Sequence, residues 1–206
     1  MDQKRDFDAL AATWDDNPMR LKLTRSIAEA MLREVPLRLD MALLDYGAGT
    51  GLVTLALQPH VASVIAVDNS AGMLARLDEK LAAAGLRNVT TMQLDLEQQD
   101  WPGEPLDVIV SSMTIHHIPD AATVVRKLGQ ALKPGGWLAV ADLDEKSEGF
   151  HPDPTGVFHH GFSAEDMQAM FAAAGVLESR TVEALRMSRE TGEFVVLLTI
   201  GRRPDQ

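Results

Sequence analysis

The sequence predicts an α/β fold, a doubly wound sheet with helices on both faces, from three observations. An apolar run, Met41 to Leu44, ends in Asp45 and leads through Tyr46, Gly47, Ala48, Gly49, Thr50 and Gly51 into the helix-compatible Leu52 to Leu57. Further apolar runs alternate with segments of helical period along the chain. The first three runs end in acids, Asp45, Asp68 and Asp95. Strand ends of an open α/β sheet border its ligand crevice, so acids repeated there point to a ligand.

The elements follow in order. Phe7, Leu10, Ala11 and Trp14 share one face of a short helix. Asn17 is placed to cap a second helix with Pro18 at its first position; it runs to about Glu34 and stops at Pro36. Its expected apolar stripe is Leu21, Thr24, Ile27, Ala28, Met31 and Leu32. The central strand and its glycine loop come next, with a helix ending near Gln58 and Pro59. Glycine suits such a loop because it reaches backbone angles a Cβ forbids and lets a ligand touch the main chain. A strand over Val61–Val67 delivers Asp68, which lies 17 residues beyond Gly51, near the distance at which an acid meets a ribose. The alternative role for Asp68 is to cap the following helix beside Asn69 and Ser70.

That helix, Ala71 to Ala84, turns Met73, Leu74, Leu77 and Leu81 inward and ends at Gly85. The strand Val89–Leu94 delivers Asp95, and Leu106–Ser111 is a fourth strand leading into His116, His117 and Pro119. Asp120 caps a helix with Val124, Val125, Leu128 and Leu132 inward. Leu132-Lys133-Pro134-Gly135-Gly136 reads as a helix stop and turn before a fifth strand, Trp137–Ala141. From Asp142 to Phe162 the periodicity breaks. Ser163 caps a further helix with Phe162 and Met167 as a hydrophobic staple, and Gly175 closes it. Strands near Ser179–Met187 and Phe194–Ile200, joined by a short turn at Glu190-Thr191-Gly192, must be antiparallel.

Composition narrows the chemistry. The chain has 206 residues, enough for one domain, with 46% hydrophobic and 24% charged content. Without cysteine it has no disulfide, thiolate metal site or cysteine nucleophile. A net charge of −11 opposes a phosphate backbone, so nucleic acid is not an expected partner. The apolar runs are too short to cross a bilayer, and Met1 to Asp6 lacks a signal-peptide core; a cytoplasmic location is expected.

The run from Asp45 to Gly51 resembles motif I of the class I S-adenosylmethionine-dependent methyltransferases, small-molecule type. Leu132 to Gly136, L-K-P-G-G before an apolar strand, is the second point of resemblance. A dinucleotide fingerprint would carry its third glycine where Leu52 stands, which counts against an NAD-linked oxidoreductase. The resemblance implies a Rossmann-like seven-stranded sheet, six strands parallel and the last inserted antiparallel. It also implies a single domain over 1–206: an N-terminal helical lid at 1–36, a cofactor-binding half at 41–142 and a substrate-side half at 143–206; simple packing of the N-terminal helices on the sheet edge is the other reading of 1–36. S-adenosylmethionine would be the cofactor, S-adenosylhomocysteine its product, and a small molecule the acceptor. A non-catalytic protein that binds the same cofactor remains an alternative.

The cofactor residues implied are Asp45, Tyr46, Gly47, Gly49, Gly51, Asp68, Asn69, Met73, Asp95, Leu96 and Ser111. Asp45 would orient the methionyl ammonium through water, and the Ser111 carbonyl would face the same group. Asp68 would meet the ribose, and Asp95 and Leu96 the adenine; an acidic solvated loop is the other reading of Asp95. His116 and His117 are candidate general bases, since imidazole titrates near neutrality, and His117 stands closer to the turn before Pro119. The competing reading packs one histidine and exposes the other. The loop from Glu145 to Phe162, with His151, His159, His160, Phe150, Phe158 and Phe162, reads as a substrate lid, a metal site or a loop whose aromatics enter the core. The adjacent histidines at 159 and 160 do not readily converge on one ion unless the backbone turns sharply, and no metal is expected.

Overall fold

Every apolar run becomes a strand of one sheet. The computed structural model describes residues 5–147, 149–189 and 192–206. Its strands are β1 (Ala42–Tyr46), β2 (Ser63–Asp68), β3 (Val89–Gln93), β4 (Leu106–Ser112), β5 (Leu132–Leu143), β6 (Glu178–Arg189) and β7 (Gly192–Arg202). Across the sheet they run β3-β2-β1-β4-β5-β7-β6. The first five pair in parallel, and β7 is antiparallel to both β5 and β6. Six strands therefore point one way and the last the other, as the resemblance implies. The strand order reverses between β1 and β4, and a ligand crevice opens at such a switch point.

Strand alternation sends successive side chains to opposite faces, and helices cover both. Leu43 of β1 and Val108 of β4 meet α2 (Pro18–Glu34), α3 (Leu52–Leu57) and α4 (Ala71–Ala84) through Ile27, Met31, Leu57 and Leu77. Leu44, Ile109 and Leu138 meet α5 (Ala121–Gln130) and α6 (Ala164–Ala173) through Val124, Leu128 and Phe171. Full burial of each such side chain contributes about 1.5–3 kcal/mol, so these two layers dominate the stability of the sheet. Asn17, Ser70, Asp120 and Ser163 each accept a hydrogen bond from a first-turn N–H of the helix they precede. Losing one such cap costs about 0.5–2 kcal/mol. Among the described residues no helix is long and apolar enough to cross a membrane.

Three details differ from the sequence reading, and a fourth bears out one of its alternatives. The N-terminal helix is short: α1 spans Phe7–Leu10 and tightens into a 3-10 turn over Ala11–Asp16. In α2 the buried stripe is Leu23, Ile27, Ala28, Ala30 and Met31, while Leu21 and Leu32 face solvent. Leu132 to Gly136 is already part of β5, because the chain end pairs with it: Gly135 N–H donates to the Arg203 carbonyl and Arg203 N–H to that of Gly136. The loop aromatics Phe150 and Phe162 are buried, one in each core layer. Of the expected β6–β7 turn, Glu190 and Thr191 lie outside the described residues.

Candidate functional site

A cleft opens at the carboxyl ends of β1, β2 and β4, with about 1220 Å³ of unfilled space counting the solvent at its mouth. Its floor is the glycine loop. Gly47, Gly49 and Gly51 all adopt left-handed backbone, with φ of +72°, +55° and +81°. At Gly47 a Cβ would overlap the Thr114 side chain, whereas at Gly49 it would meet no protein atom within 4 Å. The loop is thus closed on one side and open to the cleft on the other.

Asp45 is the last residue but one of β1 and is 1% exposed. Its Oδ2 accepts a hydrogen bond from Thr54 Oγ1 of α3 at 2.6 Å. Its Oδ1 is buried with no partner. Burial pushes the carboxyl up to about 6, against the Thr54 hydrogen bond and helped by the charge of Asp68. A buried acceptor without a donor is costly, and here it borders a cavity, so the donor is missing from the protein side. An ammonium group fits it.

Asp68 ends β2 and serves the loop: Oδ2 accepts from Gly49 N–H at 2.8 Å and Oδ1 from Ser70 N–H at 2.9 Å. Burial raises its pKa, with these N–H groups opposing. It lines the cleft beside Asn69, and the cap of α4 is Ser70. Carboxylate lone pairs remain for a ligand, since an ionised carboxyl offers about four acceptor sites.

Of the residues expected to hold a cofactor, Asp45, Tyr46, Gly47, Gly49, Asp68 and Asn69 line the cleft. Gly51, Met73, Asp95, Leu96 and Ser111 are not part of its wall. Gly51 is needed for packing, because a Cβ there would overlap Leu77 Cδ1 of α4. Met73 and Leu96 are buried apolar side chains, 2% and 1% exposed. Asp95 accepts the N–H of Glu97 at 2.9 Å, and Glu97 reaches the wall in its place. Ser111 is fully buried and donates to the Tyr46 carbonyl at 2.9 Å. The strand runs one residue further than expected, so Ser112, Met113 and Thr114 form that wall. Met113 has φ +54°, the only left-handed non-glycine among the described residues. Such strain costs of order 1 kcal/mol and tends to gather at functional sites.

The two histidines after β4 part company. His117 lines the cleft; its Nδ1 lies 2.6 Å from the Gly156 carbonyl. Burial, then neighbouring His116, lowers its pKa to about 4. His116 is wholly buried, with Nδ1 2.6 Å from Asp142 Oδ1 at the end of β5. Burial raises Asp142, but His116 and the N–H groups of Leu143 and His116 outweigh it, and the carboxyl sits below its ordinary range. His151 brings its Nε2 within 3.0 Å of His116 Nε2. Burial and the two neighbouring histidines hold it down, to about 3. His159 turns away to the Ile118 carbonyl at 3.0 Å, and His160 is exposed. The loop from Glu145 to Phe162 thus reaches the cleft wall through Gly156.

The N-terminal segment forms the roof. Phe7, Trp14, Arg20 and Thr24 line the cleft. Phe7 meets the His117 ring edge-on at 5.2 Å, and the Arg20 guanidinium lies 3.9 Å over Trp14. The segment expected as a lid, 1–36, divides: Phe7 and Trp14 line the cleft, whereas Ile27 and Met31 of α2 belong to the core layer on the sheet.

Comparison with known proteins gives this geometry a context. A family described as a methyltransferase domain matches residues 43–136. An uncharacterized methyltransferase of Schizosaccharomyces pombe is 33% identical over 157 residues, 69% of this chain and 55% of that protein. The chain thus spans about half the length of the curated relatives it matches. Among solved structures, a methyltransferase in complex with a Haloferax volcanii methyltransferase activator superposes with TM-score 0.79 at 21% identity, over 98% of this chain and 99% of that one. The N-methyltransferase NodS of Bradyrhizobium japonicum, solved with S-adenosylhomocysteine, gives TM-score 0.71 at 19% identity, over 92% and 90%. These two likenesses are of fold.

Proposed function

This chain belongs to the class I S-adenosylmethionine-dependent methyltransferase family, and from that premise we propose that it moves a methyl group from S-adenosylmethionine to a small-molecule acceptor. The observation that carries the reading is Asp45 Oδ1, a buried anionic acceptor without a donor on the wall of a cleft floored by Gly47 and Gly49. When bound, the cofactor supplies a methyl group on a sulfonium ion, so the protein needs no covalent nucleophile. Asp45 receives the ammonium. Asp68, already fixed by Gly49 and Ser70, accepts the ribose hydroxyls. The open side of Gly49 lets the methionyl part lie on the backbone.

The acceptor end is the part of the cleft lined by Met113, Thr114, His117, Phe7 and Trp14, where the Phe7 ring already touches that of His117. The aromatic pair excludes water and holds the acceptor in line, which is most of what a methyl transfer asks of a protein. His117 is neutral at pH 7, because burial lowers its pKa to about 4. Its Nδ1 faces a carbonyl, which can only accept, so the ring proton sits there and Nε2 is left bare. Nε2 then orients an acceptor hydroxyl or amine by accepting a hydrogen bond. A base this weak stores no proton; it positions.

Calorimetry tests the cofactor. Heat and saturation with S-adenosylhomocysteine are expected, and none with NADH; the reverse pattern would overturn the reading. Turnover of labelled S-adenosylmethionine with a panel of hydroxyl and amine acceptors then separates an enzyme from a protein that only binds.

A further inference from the structure

We infer that His116, His117 and His151 form a binding site for one divalent transition-metal ion of the zinc class, beside the acceptor end of the cleft. One ligand nitrogen from each of these three lies within 4.8 Å of those of the other two. They come from two elements far apart in the chain. His116 and His117 sit on the single 3-10 turn Ile115–His117 after β4, and His151 on the loop after β5.

Hydrogen bonds aim two of the three rings. The Asp142 carboxylate, 2.6 Å from His116 Nδ1, accepts a hydrogen bond from Nδ1–H, which fixes the ring proton there and leaves Nε2 bare. The Gly156 carbonyl, 2.6 Å from His117 Nδ1, does the same for His117. Metal-ligating histidines are held this way, with the far nitrogen donating to a carboxylate or a carbonyl. One histidine so arranged is common in a core; two on consecutive residues, both with Nε2 bare and a third imidazole facing them, is a donor set.

The spacing suits a small ion. His116 Nε2 and His151 Nε2 are 3.0 Å apart. Two imidazole ligands on a tetrahedral zinc, at about 2.0–2.1 Å each, have nitrogens about 3.3 Å apart. The widest separation, 4.8 Å at most, has to close by about 1.5 Å to reach that edge. His151 is half-buried and sits on a loop. The nearby cation, Arg5, is engaged by Asp153 at 3.6 Å. Three protein nitrogens leave a fourth position for water or an oxygen of the acceptor, the arrangement of catalytic rather than structural zinc. The alternative is a plain hydrogen bond in which His151 Nε2–H donates to His116 Nε2. It calls for no third histidine and no ion.

The inference stands apart from the cofactor reading, because metal binding is measured without activity; with the ion bound, His117 Nε2 is a ligand, and the acceptor meets the open position on the ion in place of that nitrogen. The full-length protein, stripped with a chelator and dialysed, is titrated with zinc by calorimetry and with cobalt(II) by visible absorption. One equivalent of each is expected, with the intense bands of a tetrahedral cobalt centre. His151→Ala, a loop substitution away from both core layers, should remain folded by circular dichroism and lose at least tenfold in affinity. Asp142→Asn should lose about 10–100-fold, the usual effect of removing a carboxylate behind a ligand histidine. His159→Ala with His160→Ala should bind as wild type does. Absence of stoichiometric binding overturns the proposal. So does binding that survives His151→Ala or vanishes in the His159–His160 double variant, which would mark a surface site.

Discussion

Thr54 Oγ1 and Asp45 Oδ2 are 2.6 Å apart inside the protein, and the second oxygen of the same carboxyl, Oδ1, has nothing to accept. Half of Asp45 is therefore committed to α3 and half is kept for a ligand. The cost of that half appears in its pKa, raised by burial to about 6. Below about pH 4 the group is protonated folded and unfolded alike, and it imposes no penalty. As pH rises through about 6 the folded form must ionise in a buried site, and stability falls by about 3 kcal/mol at most. The ligand-free wild type should therefore lose stability relative to Asp45→Asn between about pH 4 and pH 7. Urea unfolding of both at several pH values measures the difference. A gap that does not change with pH would mean that Asp45 is already ionised and paired.

The same carboxyl sets the pH dependence of ligand binding. An ammonium favours the ionised form, so S-adenosylhomocysteine should bind more tightly as pH rises toward about 6 and level off above it. Near pH 5 binding should release close to one proton, read from calorimetry in buffers of different ionisation enthalpy. Affinity that is flat from about pH 4.5 to about pH 7, with no proton released, would remove Asp45 from the ligand site.

Asp68 holds Gly49 and Ser70 and also lines the cleft, so weaker binding in Asp68→Ala has two explanations. The loss should be about 1–3 kcal/mol, the scale for hydrogen bonds to a charged acceptor. A cycle separates the explanations: wild type and Asp68→Ala, each with S-adenosylhomocysteine and with its 2′-deoxy analogue. If the carboxylate meets the ribose, removing the hydroxyl costs wild type and hardly affects the variant. Additive losses would reduce Asp68 to a support for the loop.

Gly51 and Gly47 should answer differently to the same substitution. Both are left-handed, and an alanine there is strained by about 1–2 kcal/mol. Gly51 lies off the cleft wall, where its Cβ would push the flexible end of Leu77. Gly51→Ala should lower the unfolding free energy while the folded fraction binds S-adenosylhomocysteine within threefold of wild type. Gly47→Ala drives Thr114, a wall residue, away from the loop and should weaken binding at least tenfold. Equal binding losses in both would show that the loop responds as one unit.

Strand, loop and helix were legible wherever the signal is local. Asn17, Ser70, Asp120 and Ser163 cap the helices that the sequence assigns to Asn17, Asp120 and Ser163 and to the Asp68–Ser70 cluster. Asp45, Gly47, Gly49 and Asp68 reach the cleft because each sits at the end of a strand, and strand ends of a parallel sheet share one edge. What failed depends on partners far along the chain. Leu132 to Gly136 has turn residues, yet it is strand because residues 202–203 pair with it. Leu21 and Leu32 fit a helical stripe as well as Leu23 and Ala30 do, and only the position of the sheet chooses between them. The pairs His116–Asp142 and His116–His151 span 26 and 35 residues, with no local pattern to announce them.

The N-terminal segment yields the last prediction. Two acids pin it beside the cleft. Asp8 accepts hydrogen bonds from Ser70 Oγ at 2.6 Å and Gly72 N–H at 2.7 Å, at the start of α4. Asp15 accepts from Thr50 Oγ1 at 2.6 Å and pairs with Lys80. Between these pins the segment buries little of its own, Ala11 alone being buried from Phe7 to Asp16, while Phe7 and Trp14 face the cavity. A segment held by surface hydrogen bonds and not by core burial opens at small cost, which is what a lid over a cleft requires. Deleting residues 1–16 keeps Asn17 as the cap of α2 and removes the roof. The truncated protein should remain folded, since the buried residues of both core layers begin at Leu23. It should release S-adenosylhomocysteine at least tenfold faster in stopped flow, about 1.4 kcal/mol of barrier. Asp8→Ala with Asp15→Ala should move the dissociation rate in the same direction by a smaller factor, because the apolar face of the segment remains. If both proteins release the ligand at the wild-type rate, the segment packs over the cleft without closing it, and retention of the ligand rests on the glycine loop and Asp45.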